Sequence, residues 1–160
     1  AALAGVAAIQ GVTLQHVKPH GALYNMACRD RAMADAIARA VAALDRTLIL
    51  FGLPGSALLR AGEAAGLTVA AEAFADRAYE PDGTLASRQK PGSVIHDAET
   101  MVARTVRMVR DHQVVALDGS VISLAAQTIC LHGDTPGAAE LARAIQAGLI
   151  DAGLSVAPLK

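Results

Sequence analysis

The chain has 160 residues, of which 53% are hydrophobic, 18% charged and only 2% aromatic, so Ala, Val, Leu and Ile must supply its core. That length and composition predict one α/β domain, spanning residues 1–160 without a linker. A net charge of −1 without a basic stripe argues against a nucleic-acid partner. The two cysteines lack zinc or disulfide spacing, which favours the cytoplasm, and no apolar run is long enough to span a membrane.

The first half of the chain predicts successive β/α units. It opens in what resembles the end of an Ala-rich helix, without an initiator Met, so it is expected to start in mid-fold. A short β-branched run at 13–18 predicts a strand, and Asp30 is the expected N-cap of the next helix. A buried strand follows at 47–51, with a helix from about Ser56.

A third strand is predicted at 67–74, followed by a long polar segment at 75–92 that contains two turn signals. Such a segment is typical of a functional lid. Asp97 is the expected N-cap of another helix, and Asp118-Gly119 predicts a hairpin turn.

The last part of the chain predicts one more β/α unit. Residues 127–131 form the expected strand, and Thr135 with Pro136 fits an N-cap and first helical turn. Residues 155–157 are a candidate final strand. Alternating strands and helices predict parallel pairing, in either a barrel or an open doubly wound sheet.

Three polar clusters, 18–25, 75–77 and 132–137, each follow a predicted strand directly. Loops at the carboxyl ends of parallel strands share one rim, so we expect the clusters to converge into one site. Lys18 suits anion binding or polarisation of a carbonyl, and its alternative role is a salt bridge to Asp76 or Glu72.

His20 and His132 are candidates for proton transfer near neutral pH. With Asp76 and Asp134 they form an alternative divalent-metal site, although no HExxH spacing supports one. Asp134 has a second alternative as N-cap of the following helix.

Within the long polar segment, Arg88 is the preferred clamp for a substrate carboxylate, because guanidinium offers a bidentate fork. Arg77 and Asn25 are the other predicted substrate-binding residues. No GxxxxGK[ST] phosphate loop occurs, so any use of ATP requires a different site or another polypeptide.

Three phrases carry a family resemblance: HVKPHGALYN at 16–25, EAFADRAYEPDGTLASR at 72–88 and ICLHGD at 129–134. They resemble the recurrent motifs of the LamB/YcsF family, and the match covers nearly the whole chain. The family's usual opening motifs are absent before Ala1. Several of its active-site residues are therefore expected outside this sequence.

The resemblance implies an irregular parallel (β/α) barrel of the glycoside hydrolase/deacetylase type, here lacking its N-terminal strands. It also implies ATP-dependent opening of 5-oxo-L-proline to L-glutamate, with 5-oxoprolinase subunits B and C as partners; a homo-oligomer is compatible with it. Alternatives are a metal-dependent deacetylase or amidohydrolase on the same barrel, or a non-catalytic subunit that binds a small acid.

For the implied reaction, each candidate residue receives a role. Lys18 would stabilise the oxyanion, and His20 and His132 would transfer protons. Asp76 and Asp134 would orient groups or activate water. Asn25, Arg77 and Arg88 would bind the substrate.

Overall fold

A parallel β-strand, β3, links two separately packed parts of the chain. The computed structural model describes residues 2–159. It divides into a first unit, Ala1–Ala71, and a second unit, Glu72–Lys160. Because β3 (Val69–Phe74) crosses that boundary, each half of the strand is described with its own unit.

In the first unit, three strands pair in parallel. Strand β1 (His16–Val17) pairs with β2 (Ile49–Gly52), and β2 pairs with the first half of β3, with Leu50 opposite Val69. The predicted strands are thus present, but each begins two or three residues later than expected. Parallel pairing confirms the α/β class, and the barrel type remains an expectation.

Four helices belong to the first unit: α1 (Ala2–Ile9), α2 (Gly21–Ala27), α3 (Arg31–Leu44) and α4 (Ala57–Ala64). The side chains of Asp30 and Ser56 accept hydrogen bonds from the third residue after each, which confirms the N-cap predicted at Asp30 and the helix start predicted near Ser56. The short helix α2 was not predicted, since its residues were assigned to a loop.

The core of the first unit depends on close approach between α4 and the strands. Leu50 and Leu58 are fully buried in a cluster of Ala, Val and Leu side chains. Gly62 permits the contact, because a Cβ there would lie 2.6 Å from Cγ1 of Val69. A chain poor in aromatic residues thereby gains packing density from small residues.

In the second unit, the other half of β3 pairs in parallel with β6 (Thr128–Cys130), with Phe74 opposite Cys130. Strands β4 (Gln113–Val115) and β5 (Val121–Ser123) form an antiparallel pair, which confirms the hairpin predicted from Asp118-Gly119.

Two helices belong to the second unit: α5 (Ala98–Arg110) and α6 (Ala138–Asp151). The carboxylate of Asp97 caps α5 as predicted. The prediction that Thr135 and Pro136 begin α6 is wrong. Gly137, in the left-handed region at φ 73°, is its N-cap. The strand predicted at 155–157 is also wrong, because those residues have no regular structure.

Helices α5 and α6 pack through a glycine. A Cβ at Gly148 of α6 would overlap Cγ1 of Val102 on α5. Of the helices that the structure describes within residues 2–159, none combines the length and apolar character needed to cross a membrane.

Candidate functional site

Asp76 and His132 form the best-defined polar pair of the second unit. Each lies two residues beyond a strand end, since β3 ends at Phe74 and β6 at Cys130. Asp76 Oδ2 lies 2.7 Å from Nδ1 of His132 and also accepts the backbone N–H of His132 at 3.1 Å. The expectation that neighbouring strand ends converge therefore holds for this pair.

The hydrogen-bond pattern assigns a role to each ring nitrogen of His132. An ionised carboxylate is only an acceptor, so the ring hydrogen belongs on Nδ1, and the lone pair of neutral imidazole belongs on Nε2. The His132 side chain is 27% exposed, whereas that of Asp76 is only 2% exposed. The pair therefore places a buried carboxylate behind an accessible base, as in the histidine–aspartate part of a hydrolytic triad.

Asp76 retains acceptor capacity beyond this contact. Its Oδ1 atom is buried and has no hydrogen-bond partner among residues 2–159. The ring of Phe74 packs against that of His132, with centroids 5.8 Å apart. An apolar ring thus supports one side of the imidazole, while the carboxylate fixes its edge.

The segment that follows Asp76 is an ordered, inward-packed loop. Tyr79 is fully buried, and Leu85 and Ala86 are nearly so. Ala78 donates its amide hydrogen to Ser93 at 2.9 Å and accepts that of Ala86 at 3.0 Å. This part of the expected polar lid is instead a packed part of the second unit, because Ala78, Tyr79, Leu85 and Ala86 bury apolar side chains.

Arg77 lies inside this loop. It is 6% exposed, and its Nη2 donates to the carbonyl of Ala86 at 2.5 Å. Burial, followed by the positive charge of Arg88, lowers the pKa of Arg77, while Asp76 opposes the change. Arg77 therefore holds the loop together, a structural role that its sequence position did not indicate.

The other predicted residues of the second unit are more accessible. Arg88 and Asp134 are both exposed. The N-cap alternative for Asp134 is wrong, because α6 begins only at Ala138. Arg88 as carboxylate clamp and Asp134 as an orienting group remain predictions.

In the first unit, the motif after β1 gives three different environments. Lys18 is half-buried, with its Nζ 5.6 Å from the ring centroid of Tyr24. His20 is the exposed N-cap residue of α2, and the exposed Asn25 donates to the carbonyl of Gly21 at 2.9 Å. His16, on β1, stacks on Phe51 with centroids 4.3 Å apart.

Two further residues of the second unit hold the strand end that carries Asp76. The hydroxyl of Tyr79 accepts the amide hydrogen of Phe74 at 2.8 Å. Nη1 of Arg104, on α5, donates to the carbonyls of Phe74 at 2.9 Å and Ala75 at 2.7 Å. Sequence reasoning missed Arg104, because an arginine at helical spacing resembles a solvent-exposed residue.

A divalent-metal site was the alternative expectation for the histidines and carboxylates. Among residues 2–159, no group of three or more His, Cys, Asp and Glu side chains is arranged to hold a metal ion.

Comparison with known proteins places this geometry in a family. The model of the LamB/YcsF family matches residues 1–160. The chain belongs to the LamB/YcsF family. A relative from Rhodopseudomonas palustris (strain BisB18), named as the A subunit of 5-oxoprolinase, is 55% identical to this LamB/YcsF chain over 157 residues, covering 98% of the chain and 62% of the relative.

Other relatives agree with this assignment. A protein of the same name from Chloroflexus aggregans (strain MD-66 / DSM 9485) is 55% identical over 97% of this LamB/YcsF chain and 62% of its own length. The crystal structure of a lactam utilization protein from Thermus thermophilus matches with a TM-score of 0.89 and 47% identity, over 99% of this chain and 63% of that one. The chain therefore spans less than two thirds of the length of these relatives.

Proposed function

We propose that this chain forms part of the A subunit of an ATP-dependent 5-oxoprolinase, which opens the lactam of 5-oxo-L-proline to give L-glutamate in the cytoplasm, together with subunits B and C. The single observation that carries the catalytic part is the contact of Asp76 Oδ2 with His132 Nδ1 at 2.7 Å. The names of the similar proteins support the substrate class.

The Asp76–His132 pair, here called the dyad, suits proton transfer during ring opening. In the proposed reaction, phosphoryl transfer from ATP to the lactam oxygen makes the carbonyl carbon electrophilic. His132 Nε2 accepts a proton as water attacks that carbon, and Asp76 stabilises the imidazolium. The same proton then moves to the ring nitrogen as the C–N bond breaks. A second water hydrolyses the resulting acyl phosphate to a carboxylate and phosphate.

Other residues keep their proposed supporting roles. Lys18 stabilises the oxyanion that develops as the second water attacks the acyl phosphate, His20 assists proton transfer, and Asp134 orients water. Asn25 and Arg88 bind the substrate, with the Arg88 guanidinium directed to its carboxylate. ATP enters as a co-substrate, and its phosphates are not assigned to residues of this chain.

The test is glutamate release from 5-oxo-L-proline by the protein combined with subunits B and C. We expect one ADP per glutamate, and loss of release when ATP or either partner is omitted. Release without ATP that a chelator abolishes would favour the metal-dependent amidohydrolase. Binding of 5-oxo-L-proline with turnover unaffected by His132→Ala and Asp76→Ala would favour the small-acid-binding subunit.

A further inference from the structure

We propose that Arg104 is a positioning residue for the Asp76–His132 dyad, a role that rests on the proposed function. It acts without touching substrate, by holding the end of β3 from which both Asp76 and the ring of Phe74 project. Every contact in this argument lies within the second unit.

The contacts of Arg104 converge on two consecutive peptide groups. Its Nη1 donates to Phe74 O at 2.9 Å and to Ala75 O at 2.7 Å, immediately before Asp76. On the next strand, the carbonyl of Cys130 accepts the amide hydrogen of Ala75 at 2.9 Å. Arg104 thus attaches α5 to the end of β3, directly before Asp76.

Arg104 is also connected with His132 through the aromatic ring of Phe74. Phe74 has its carbonyl held by Arg104 and its amide held by the hydroxyl of Tyr79, while its side chain packs against His132. A displaced Phe74 backbone would therefore move the ring that supports the imidazole. Since a misplacement of about 1 Å can cost roughly 10²-fold in rate, this attachment matters for turnover.

Charge also connects Arg104 with the dyad. Burial lowers the pKa of Arg104, whereas attraction to Tyr79 and to the carboxylate of Asp76 raises it. The guanidinium group lies 6.0 Å from the ring centroid of Tyr79. Arg104 therefore interacts electrostatically with the Asp76 carboxylate, in addition to its hydrogen bonds to the strand end.

Three variants of the full protein separate positioning from general stability. Arg104→Met removes the donors but keeps an unbranched stem, and Arg104→Lys keeps the charge with a shorter reach. Leu124→Ala is the matched control for general stability, because Leu124 is a 2% exposed core residue of the same unit whose backbone amide donates to His112. Each is measured for kcat and KM with subunits B and C, corrected for the folded fraction.

A second readout does not depend on the reaction. Nitrogen-15 NMR of the His132 ring, assigned with His132→Gln, reports which nitrogen carries the hydrogen in neutral imidazole. We expect wild type and Leu124→Ala to hold it on Nδ1. Arg104→Met should show a mixture of tautomers, with Arg104→Lys in between.

For turnover, we expect Arg104→Met to lower kcat by about 10²-fold and Arg104→Lys by about 10-fold, both with unchanged KM. The proposal would be overturned if Arg104→Met kept the wild-type kcat and the wild-type His132 tautomer. If Arg104→Met does not fold, the same result in Arg104→Lys would overturn it. If the wild-type protein releases no glutamate, the proposed function fails, and the tautomer measurement alone decides the role of Arg104.

Discussion

His132 is attached twice to one carboxylate oxygen of Asp76, through its backbone N–H at 3.1 Å and its ring Nδ1 at 2.7 Å. One oxygen thereby fixes both the path of the chain after β6 and the direction of the imidazole. A change at Asp76 must affect orientation and electrostatics together.

Replacing the carboxylate tests this double attachment. Asp76→Asn keeps the size of the side chain, but its amide can favour the tautomer with hydrogen on Nε2. We expect kcat for glutamate release to fall by about 10⁴-fold. Asp151→Asn, at an exposed position on α6, is the control and should leave kcat unchanged. An active Asp76→Asn protein would show that the carboxylate does not orient the base.

Removing the imidazole tests proton transfer directly. His132→Ala should lower turnover by about 10²–10⁴-fold, the usual contribution of a positioned acid–base group, while the fold stays intact. The matched change at the exposed His96 should have no effect on kcat. Unchanged turnover in His132→Ala, with circular dichroism like wild type, would exclude His132 as the base.

The buried hydroxyl of Tyr79 gives a stability prediction. Tyr79→Phe leaves the amide of the 3% exposed Phe74 without this acceptor, so the free energy of unfolding should fall by about 1–3 kcal/mol. Urea denaturation at neutral pH measures the difference. No loss would mean that water replaces the hydroxyl.

The same variant has a pH signature. Burial raises the pKa of Tyr79, so the folded protein keeps the phenol protonated where the unfolded chain ionises. The stability from the neutral phenol is present below the unfolded pKa of about 10 and declines as pH rises above it, toward the folded pKa. Tyr79→Phe should show a shallower alkaline decline than wild type. Equal slopes would contradict the assignment.

The α5–α6 contact predicts a paired effect. Gly148→Ala gains up to about 1 kcal/mol of helix propensity, but its Cβ overlaps Val102, and overpacking costs about 1–3 kcal/mol. We expect net destabilisation in thermal unfolding. Adding Val102→Ala makes room for the methyl group. The double variant should therefore lose less stability than the sum of the losses in the two single variants. Additive losses would exclude a direct clash.

Local signals explain which parts of the fold could be predicted from the sequence. Asp30 and Asp97 are confirmed as N-caps because a short polar side chain before an apolar stripe acts within a few residues. At Thr135 the same signal misled, because Gly137 adopts a left-handed conformation and the helix begins after it. Propensity does not determine which of several adjacent candidates caps a helix.

The candidate site also contains residues that could be predicted from the sequence and residues that could not. Asp76 and His132 could be paired from chain order, since both follow parallel strands. Arg104 could not, because its partners are backbone carbonyls about 30 residues earlier, and backbone acceptors leave no residue-type signal. Arg77 was predicted to bind substrate, and its burial within a packed loop could not be predicted from the sequence.

Asp76 also joins the packed loop to the dyad through its backbone, because its carbonyl accepts the amide hydrogen of Ile95 at 2.9 Å. A transient opening that separates Ile95 from this carbonyl would loosen the residue that orients His132. The amides of Ala78, Ile95 and His132 should then exchange with deuterium as one cooperative group, with a shared opening free energy. The fraction of molecules with this loop closed would then equal the fraction in which Asp76 orients His132 for catalysis.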